Sequence, residues 1–300
     1  MAVAVPQPEA RRRGSLRAGA GGPRYPGWLA LPGVAYYAVF FLVPLSLLGA
    51  VAFARREGNI DWVYTLNLEN FTDLWDSLYI GIFVDTFQLA GVGTLATLLF
   101  GFPLAYYLAR YAKRKTLLLL LIVVPFWTSF LIRTYSWLII LDPEFPVIRG
   151  LRAAGILGDD FSVLYTPTAV YIGVVYTYLP LMVLPVYAAL ERMDWSLVEA
   201  AHDLGDTPFR AFRRITLPLA MPGVLAGSLL VFIPMMGEFL NPVILGGDKK
   251  IFVGNLIGLQ FGTARDWPFG SAIAMVLIAA MTLVVLVYAR LARREEQYGG

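Results

Sequence analysis

The chain has 300 residues, of which 58% are hydrophobic and 15% charged, with a net charge of +3. Soluble globular chains carry about a quarter charged residues, so this composition points to lipid surroundings. There is no cysteine, which excludes disulfide frameworks and thiolate metal sites. The single histidine, His202, excludes multi-histidine metal sites, and nothing in the chain calls for a cofactor or a nucleic-acid partner.

Residues 1–27, rich in Gly, Pro, Arg and Ala, read as a disordered arm. Six apolar runs follow, near 28–52, 82–109, 117–141, 166–190, 221–245 and 269–289. Each approaches or exceeds the roughly 20 residues that a spanning helix requires. Lipid forces backbone polar groups to pair within the segment or in a closed barrel, and the alternating pattern of barrel strands is absent. The expectation is an all-α polytopic membrane protein with six transmembrane helices over 28–292 and a tail at 293–300. Basic residues before Ala-Val-Ala-Phe-Ala at 50–54 imitate a signal peptide. The apolar run there exceeds the roughly 7–15 residues of a signal. Internal prolines such as Pro103, Pro180, Pro185 and Pro234 imply kinks that a packed bundle tolerates.

Basic residues set the orientation. They crowd the arm (Arg11 to Arg24), the loop after the second run (Arg110 to Lys115), the loop after the fourth (Arg192, Arg210, Arg213, Arg214) and the tail. Both termini are therefore expected in the cytoplasm. The opposite loops, near 53–81, 142–165 and 246–268, lean acidic. They read either as ordinary solvated loops or as a mouth that concentrates a cationic ligand.

The cytoplasmic loop 191–220 is too polar to lie in lipid. Ser196 and Glu199 offer a capping box. A short helix from Leu197 to Leu204 would carry Leu197, Ala200, Ala201 and Leu204 on one face. Gly205 suits a left-handed stop and Pro208 the first turn of a second helix. Phe209, Phe212, Ile215 and Leu217 would anchor that second piece. The sum is a stiff helix-turn-helix knuckle; the alternative is an amphipathic helix lying on the membrane surface. Glu199-Ala200-Ala201, three residues, Gly205, nine residues and Ile215-x-Leu217-Pro218 together resemble the signature loop of the permease subunits of bacterial ABC importers. In such permeases this loop implies coupling to an ATPase. The chain has no G-x-x-x-x-G-K-[ST] phosphate loop of its own, so the ATPase would be a separate chain.

Three ionisable residues fall inside the apolar runs: Asp85, Arg133 and Glu238. Such residues are costly in lipid and are functional suspects. Either Arg133 pairs with one of the acids or each side chain reaches the external interface; alternatively they line a hydrated cavity open to the outside. Helical spacing joins Asp85 with Gln88, Glu238 with Asn241, and Ser129 with Arg133 and Trp137. Pro234, Gly237 and Pro242 should interrupt the helix around Glu238, a recurrent pointer to a transport site. Trp127, Trp137 and Tyr178 stand among aromatics that could stack on a cation. Gly223-x-x-x-Gly227 reads as a helix-packing seam.

Beyond the loop, residues 125–137 (Pro-Phe-Trp-Thr-Ser-Phe-Leu-Ile-Arg-Thr-Tyr-Ser-Trp), the stretch Gly237-Glu238-Phe239-Leu240-Asn241-Pro242, and Trp267-Pro268-Phe269-Gly270 resemble the spermidine/putrescine (PotB-type) permease family of polyamine importers. The resemblance implies the MetI-like fold of type I ABC importers in the bacterial inner membrane. It also implies a second, homologous permease, an ABC ATPase dimer and an extracytoplasmic solute-binding protein. Glu199, Ala200, Ala201 and Gly205 match the family's coupling motif, while His202 and Asp206 replace the basic and small residues more usual there. The same layout also serves other solutes, such as iron chelates, inorganic anions and opines. An intramembrane enzyme is the remote alternative, and no catalytic constellation supports one.

Overall fold

In a computed structural model of the chain, the described residues are residue 28 and residues 31–58, 61–158, 162–247 and 249–298, with side chains through residue 290. The expected disordered arm lies outside them. The described residues through Ser46 form one compact unit and those from Leu47 onward a second.

The structure is almost entirely helical. Helix α1 spans Leu31–Ala52 and contains a π-turn at Ala38–Leu42. Its cause is Pro44, which has no N–H to offer the carbonyl four residues back. The Val43 N–H bonds Ala38 O instead, five residues back. A short antiparallel ribbon follows, pairing β1 (Arg55–Glu57) with β2 (Asp61–Val63), with Arg56 opposite Trp62. After a short turn of helix, α2 (Glu69–Asp73), the long helix α3 (Ser77–Arg110) starts where the Asp76 carboxylate accepts from the Leu78 N–H.

The third apolar run is not one straight span. Helix α4 (Lys115–Trp127) and helix α5 (Phe130–Ile140) meet at 97°. Pro125 tightens the end of α4 into a 3₁₀ turn, and Thr128 and Ser129 are extended. Ser129 is therefore the N-cap of α5, and its carbonyl accepts from the Arg133 N–H at 3.1 Å. Among the described residues, five helices are long and apolar enough to cross a membrane, six if this bent pair counts as one crossing.

Helix α6 (Pro146–Ala153) leads to α7 (Pro167–Glu191), which is capped by the Thr166 hydroxyl. Helix α8 (Ser196–Asp203) belongs to the loop 191–220. The fifth run begins earlier than expected and breaks around Glu238, as Pro234, Gly237 and Pro242 indicated. Helix α9 starts far back at Pro208 and runs 29 residues to Met236. The chain then breaks at Gly237–Phe239 and resumes as α10 (Leu240–Gly246). Helix α11 (Val253–Phe261) and α12 (Trp267–Tyr298) complete the chain, and α12 passes the expected boundary at 292 without a break.

Helices α3, α7 and α9 pack most extensively on one another. Their buried core includes Leu108, Val174, Met182, Val186, Val231 and Met235. The Gly223 and Gly227 seam forms as expected, against α7. A Cβ on Gly223 would stand 2.6 Å from both Ala189 Cβ and Pro185 O, and one on Gly227 would stand 3.1 Å from Met182 O. Two backbones approach this closely only where side chains are absent, which is how helices gain contact area in lipid.

Candidate functional site

The sequence-predicted residues fall into one knuckle and three separate places in the bundle.

The knuckle is α8, the Leu204–Thr207 turn and the first turns of α9. Met193, Val198, Ala201 and Ala211 form its small core, with Trp195 and Ile215 packed against it. Gly205 adopts φ +92°, the left-handed stop that its position called for. Asp206 lies within 3.6 Å of both Arg210 and Arg214, so it braces the turn to α9. Thr207 accepts from the Arg210 N–H, and Pro208 opens the helix. A second π-turn, Phe212–Thr216, joins this piece to the spanning part of α9, with the Leu217 N–H bonding Phe212 O. Pro218 produces it as Pro44 does in α1, which gives the proline of the Ile-x-Leu-Pro motif a physical role.

Three local readings need correction. The Ser196–Glu199 capping box does not form; Asp194 Oδ1 accepts from the Ser196 N–H at 3.0 Å instead. Hydrogen bonding by the Ser196 side chain and backbone holds the Asp194 carboxyl below the usual carboxylate range. Ala201 faces the knuckle's own core and not the outer face shared by Leu197, Ala200 and Leu204. Phe209 anchors nothing within the chain: it is 74% exposed beside Leu204 at 89%. Glu199, freed from capping, reaches Arg110 at the end of α3, 3.4 Å away, and Arg110 lies 4.7 Å over the Trp195 ring.

The second place is the break between α9 and α10. Glu238 is 4% exposed. Its Oε1 accepts from the Leu240 and Asn241 N–H groups at 3.0 and 3.2 Å, and its Oε2 accepts from the Tyr178 hydroxyl at 2.7 Å. A buried carboxylate is thereby stabilised by three donors, two of them at a helix N-terminus. Thr134 donates to Asn241 Oδ1 at 3.2 Å, while Asn241 Nδ2 is buried without a partner. Asn255 Nδ2 donates to Phe239 O and so holds α11 to the break.

The third place is a cleft of about 240 Å³ whose lining includes Asp85, Gln88, Tyr165, Tyr171, Lys249 and Lys250. Asp85 pairs with Lys250 at 2.7 Å. The fourth is a groove of about 470 Å³ lined by Arg133, Ser136, Trp137 and Tyr176, among others. Arg133 pairs with neither acid. It lies over Phe126 and Phe130, 5.3 and 5.8 Å from their centroids, and its Nε is buried without a hydrogen bond. Trp127, 78% exposed, is not among the lining residues of either. The residues sequence reasoning missed are Lys250, Thr134 and Asn255. Lys250 and Thr134 act across 165 and 107 positions and Asn255 across 16, beyond the reach of any helical spacing.

Residues 97–297 match the family of binding-protein-dependent transport system inner membrane components. The chain belongs to that family. It is 42% identical over 252 residues to the spermidine/putrescine transport system permease protein PotB of Haemophilus influenzae, covering 84% of this chain and 88% of that protein. It is 40% identical to the protein of the same name from Escherichia coli K12, over 89% of this chain and 94% of the relative. Among solved structures, a bacterial ABC transporter involved in alginate import aligns with TM-score 0.68 at 18% identity, covering 89% of this chain and 96% of the other. The fold is thus the MetI-like fold of ABC importer permeases. The chain is an inner-membrane permease subunit and not an enzyme. The family match encloses the knuckle and Glu238, whereas Asp85 and Gln88 precede it.

Proposed function

We propose that this permease subunit forms half of a pore for a polyamine, spermidine or putrescine, or a similar small organic cation. A separate ATPase dimer drives it through the knuckle. A second, homologous permease supplies the other half, and an extracytoplasmic binding protein delivers the cargo. Lipid surrounds the remaining faces, and the excess of basic residues in alternate loops supports cytoplasmic termini. The observation that carries the coupling is the knuckle tip. Leu197, Ala200, Leu204 and Phe209 are exposed on a piece that has its own core and braces. Apolar side chains held outward on a rigid support suit a socket on another protein.

The mechanism follows from this geometry. ATP-driven closure of the partner displaces the tip. The knuckle moves as a body because Val198, Ala201 and Ala211 lock α8 to the start of α9. The π-turn at Phe212–Thr216 is the compliant point through which that motion enters the span. Helix α9 leads to the Glu238 break, so displacement at one end can reorient the polar cluster at the other. The cation reading is supported by the polyamine named for the two relatives above and by the acids Asp85 and Glu238. Uptake of radiolabelled putrescine by cells expressing the complete importer tests it, with sulfate as the competing cargo. Accumulation of sulfate but not putrescine would refute the cation assignment and leave the coupling intact.

A further inference from the structure

The cleft between α3, the start of α7 and the segment after α10 holds a charge pair that the coupling mechanism does not use. Lys250 Nζ lies 2.7 Å from Asp85 Oδ1, with both side chains partly exposed. A lysine side chain is a four-carbon aliphatic stem ending in a primary ammonium. That is the chemistry of one end of an aliphatic diamine. Resting on the polyamine reading above, we propose that Lys250 is a tethered stand-in for the cargo. It occupies an ammonium site built on Asp85, and incoming diamine must displace it.

Three observations support a built site and not a chance surface pair. The first is shape. The cleft, about 240 Å³, lies below the roughly 300–1,000 Å³ of sites for drug-sized ligands, which suits a slender aliphatic chain. The second is its wall. Tyr165 and Tyr171 line it together with Asp85, and aromatic faces attract an ammonium. The third is backbone strain at Tyr165, which sits at φ +61° and donates its N–H to Leu245 O at 2.9 Å. A bulky residue in the left-handed region persists only where its surroundings impose it, and such residues gather at ligand sites. Gly247, itself at φ +64°, makes the room: a Cβ there would stand 2.7 Å from the Tyr165 ring.

The charges of the cleft explain why displacement is needed. Among the described residues lining it, Lys249 and Lys250 outnumber Asp85. A free cation is therefore unwelcome while Lys250 stays in place and is accepted once Lys250 swings out. Asp85 selects the ammonium, and Lys250 sets the threshold below which the site stays closed to weaker cations.

The test uses the complete importer in lipid nanodiscs and reads acylation of Lys250 by an amine-reactive ester as a ratio to that of exposed Lys113 in the same sample, which corrects for ester consumed by added amine, quantified by mass spectrometry. Putrescine should raise Lys250 labelling, by about two- to fivefold for release from a partly exposed ion pair. Butane-1,4-diol, and sodium chloride at matched ionic strength, should not. Asp85→Asn should raise labelling without ligand and abolish the response to putrescine. Unchanged Lys250 labelling in an importer that does take up putrescine would overturn the stand-in role. So would protection of Lys249 and Lys250 by sulfate, which would make the lysines an anion receptor. An importer that takes up no putrescine refutes the polyamine reading instead, and the effect of Asp85→Asn on labelling still reports whether the pair exists.

Discussion

The knuckle and the polar sites around Glu238 and Asp85 are stabilised over very different sequence distances. Asp206 is braced by Arg210 and Arg214, Asp194 serves Ser196, and the small core draws on residues 193–215 alone. Glu238 instead finds Tyr178 60 positions away, Asn241 meets Thr134 across 107, and Asp85 meets Lys250 across 165. A piece held by local contacts moves as one body. A region held by a few long-range polar pairs can exchange partners without unfolding any helix. The two ends of the permease are thus suited to different tasks: one transmits displacement, the other changes what it binds.

The sharpest way to break this contrast is at the knuckle tip. Leu204→Asp with Phe209→Asp places charge on two exposed side chains that touch little of their own chain. Membrane abundance should stay near wild type, since substitutions at such positions shift stability by about 0.5 kcal/mol or less. Uptake should fall by more than about tenfold, because burying an unpaired charge against a partner costs well over the roughly 1.4 kcal/mol that a factor of ten represents. Normal uptake by a well-expressed double variant would remove the docking role from this face.

Next in size is Glu238. Replacement by Ala leaves the Tyr178 hydroxyl and the Leu240 and Asn241 N–H groups without their acceptor inside the bundle. Unsatisfied buried groups cost about 1–3 kcal/mol each, so Glu238→Ala should lower the thermal midpoint in detergent by several degrees. Glu238→Gln keeps a carbonyl for the α10 N–H groups and should recover most of that loss. If Gln restores stability but not uptake, the negative charge serves transport. If Gln restores both, Glu238 is a cap for α10, and the cargo-facing role passes to Asp85.

These distances also explain what could be read from the chain in advance. The knuckle was legible because a left-handed glycine, a proline at a helix start and an apolar period are all local signals. Even there, Asp194 displaced Ser196 and Glu199 as the cap by sitting two residues ahead of Ser196, and Phe209 was assigned inward because hydrophobicity does not distinguish a core from a docking face. The interruption at Glu238 was legible from Pro234, Gly237 and Pro242. Its purpose was not, because Tyr178 and Asn255 reach it from other helices. The bend at Thr128–Ser129 escaped notice because an apolar run carries no record of direction. Lys250 looked like an ordinary loop charge until the fold set it against Asp85.

A smaller effect tests one of the links between the knuckle and α3, which also meet through Tyr106 against Trp195 and Phe102 against Phe212. Glu199 reaches Arg110 across 89 positions, and Glu199 is largely exposed. An exposed pair of this kind contributes about 0–1 kcal/mol. A double-mutant cycle of Glu199→Ala and Arg110→Ala, read by thermal midpoint, should therefore give a coupling near the lower end of that range. Arg110→Ala alone should cost more than Glu199→Ala, because Arg110 also covers the Trp195 ring. A coupling well above 1 kcal/mol would mean that the knuckle is bolted to α3 and cannot move as a separate body.

The smallest expected effect is a pH dependence confined to the knuckle's first turn. The Asp194 carboxyl is held below its ordinary range by hydrogen bonds from Ser196. A carboxylate lowered in the folded state contributes stability above its unfolded pKa, about 3.9 for Asp. That contribution fades as pH falls through the lowered value, because protonation then no longer discriminates between the folded and open forms. Hydrogen exchange at the Ser196 amide, corrected for intrinsic rates, should show more frequent opening at pH 3 than at pH 6 in the wild-type chain. Asp194→Asn should narrow that difference. The exchange of amides flanking Glu238 should not follow the same Asp194 dependence, since their partners lie on other helices. Parallel changes at both places would mean that the knuckle and the broken helix open together, and the separation of tasks between the two ends would fail.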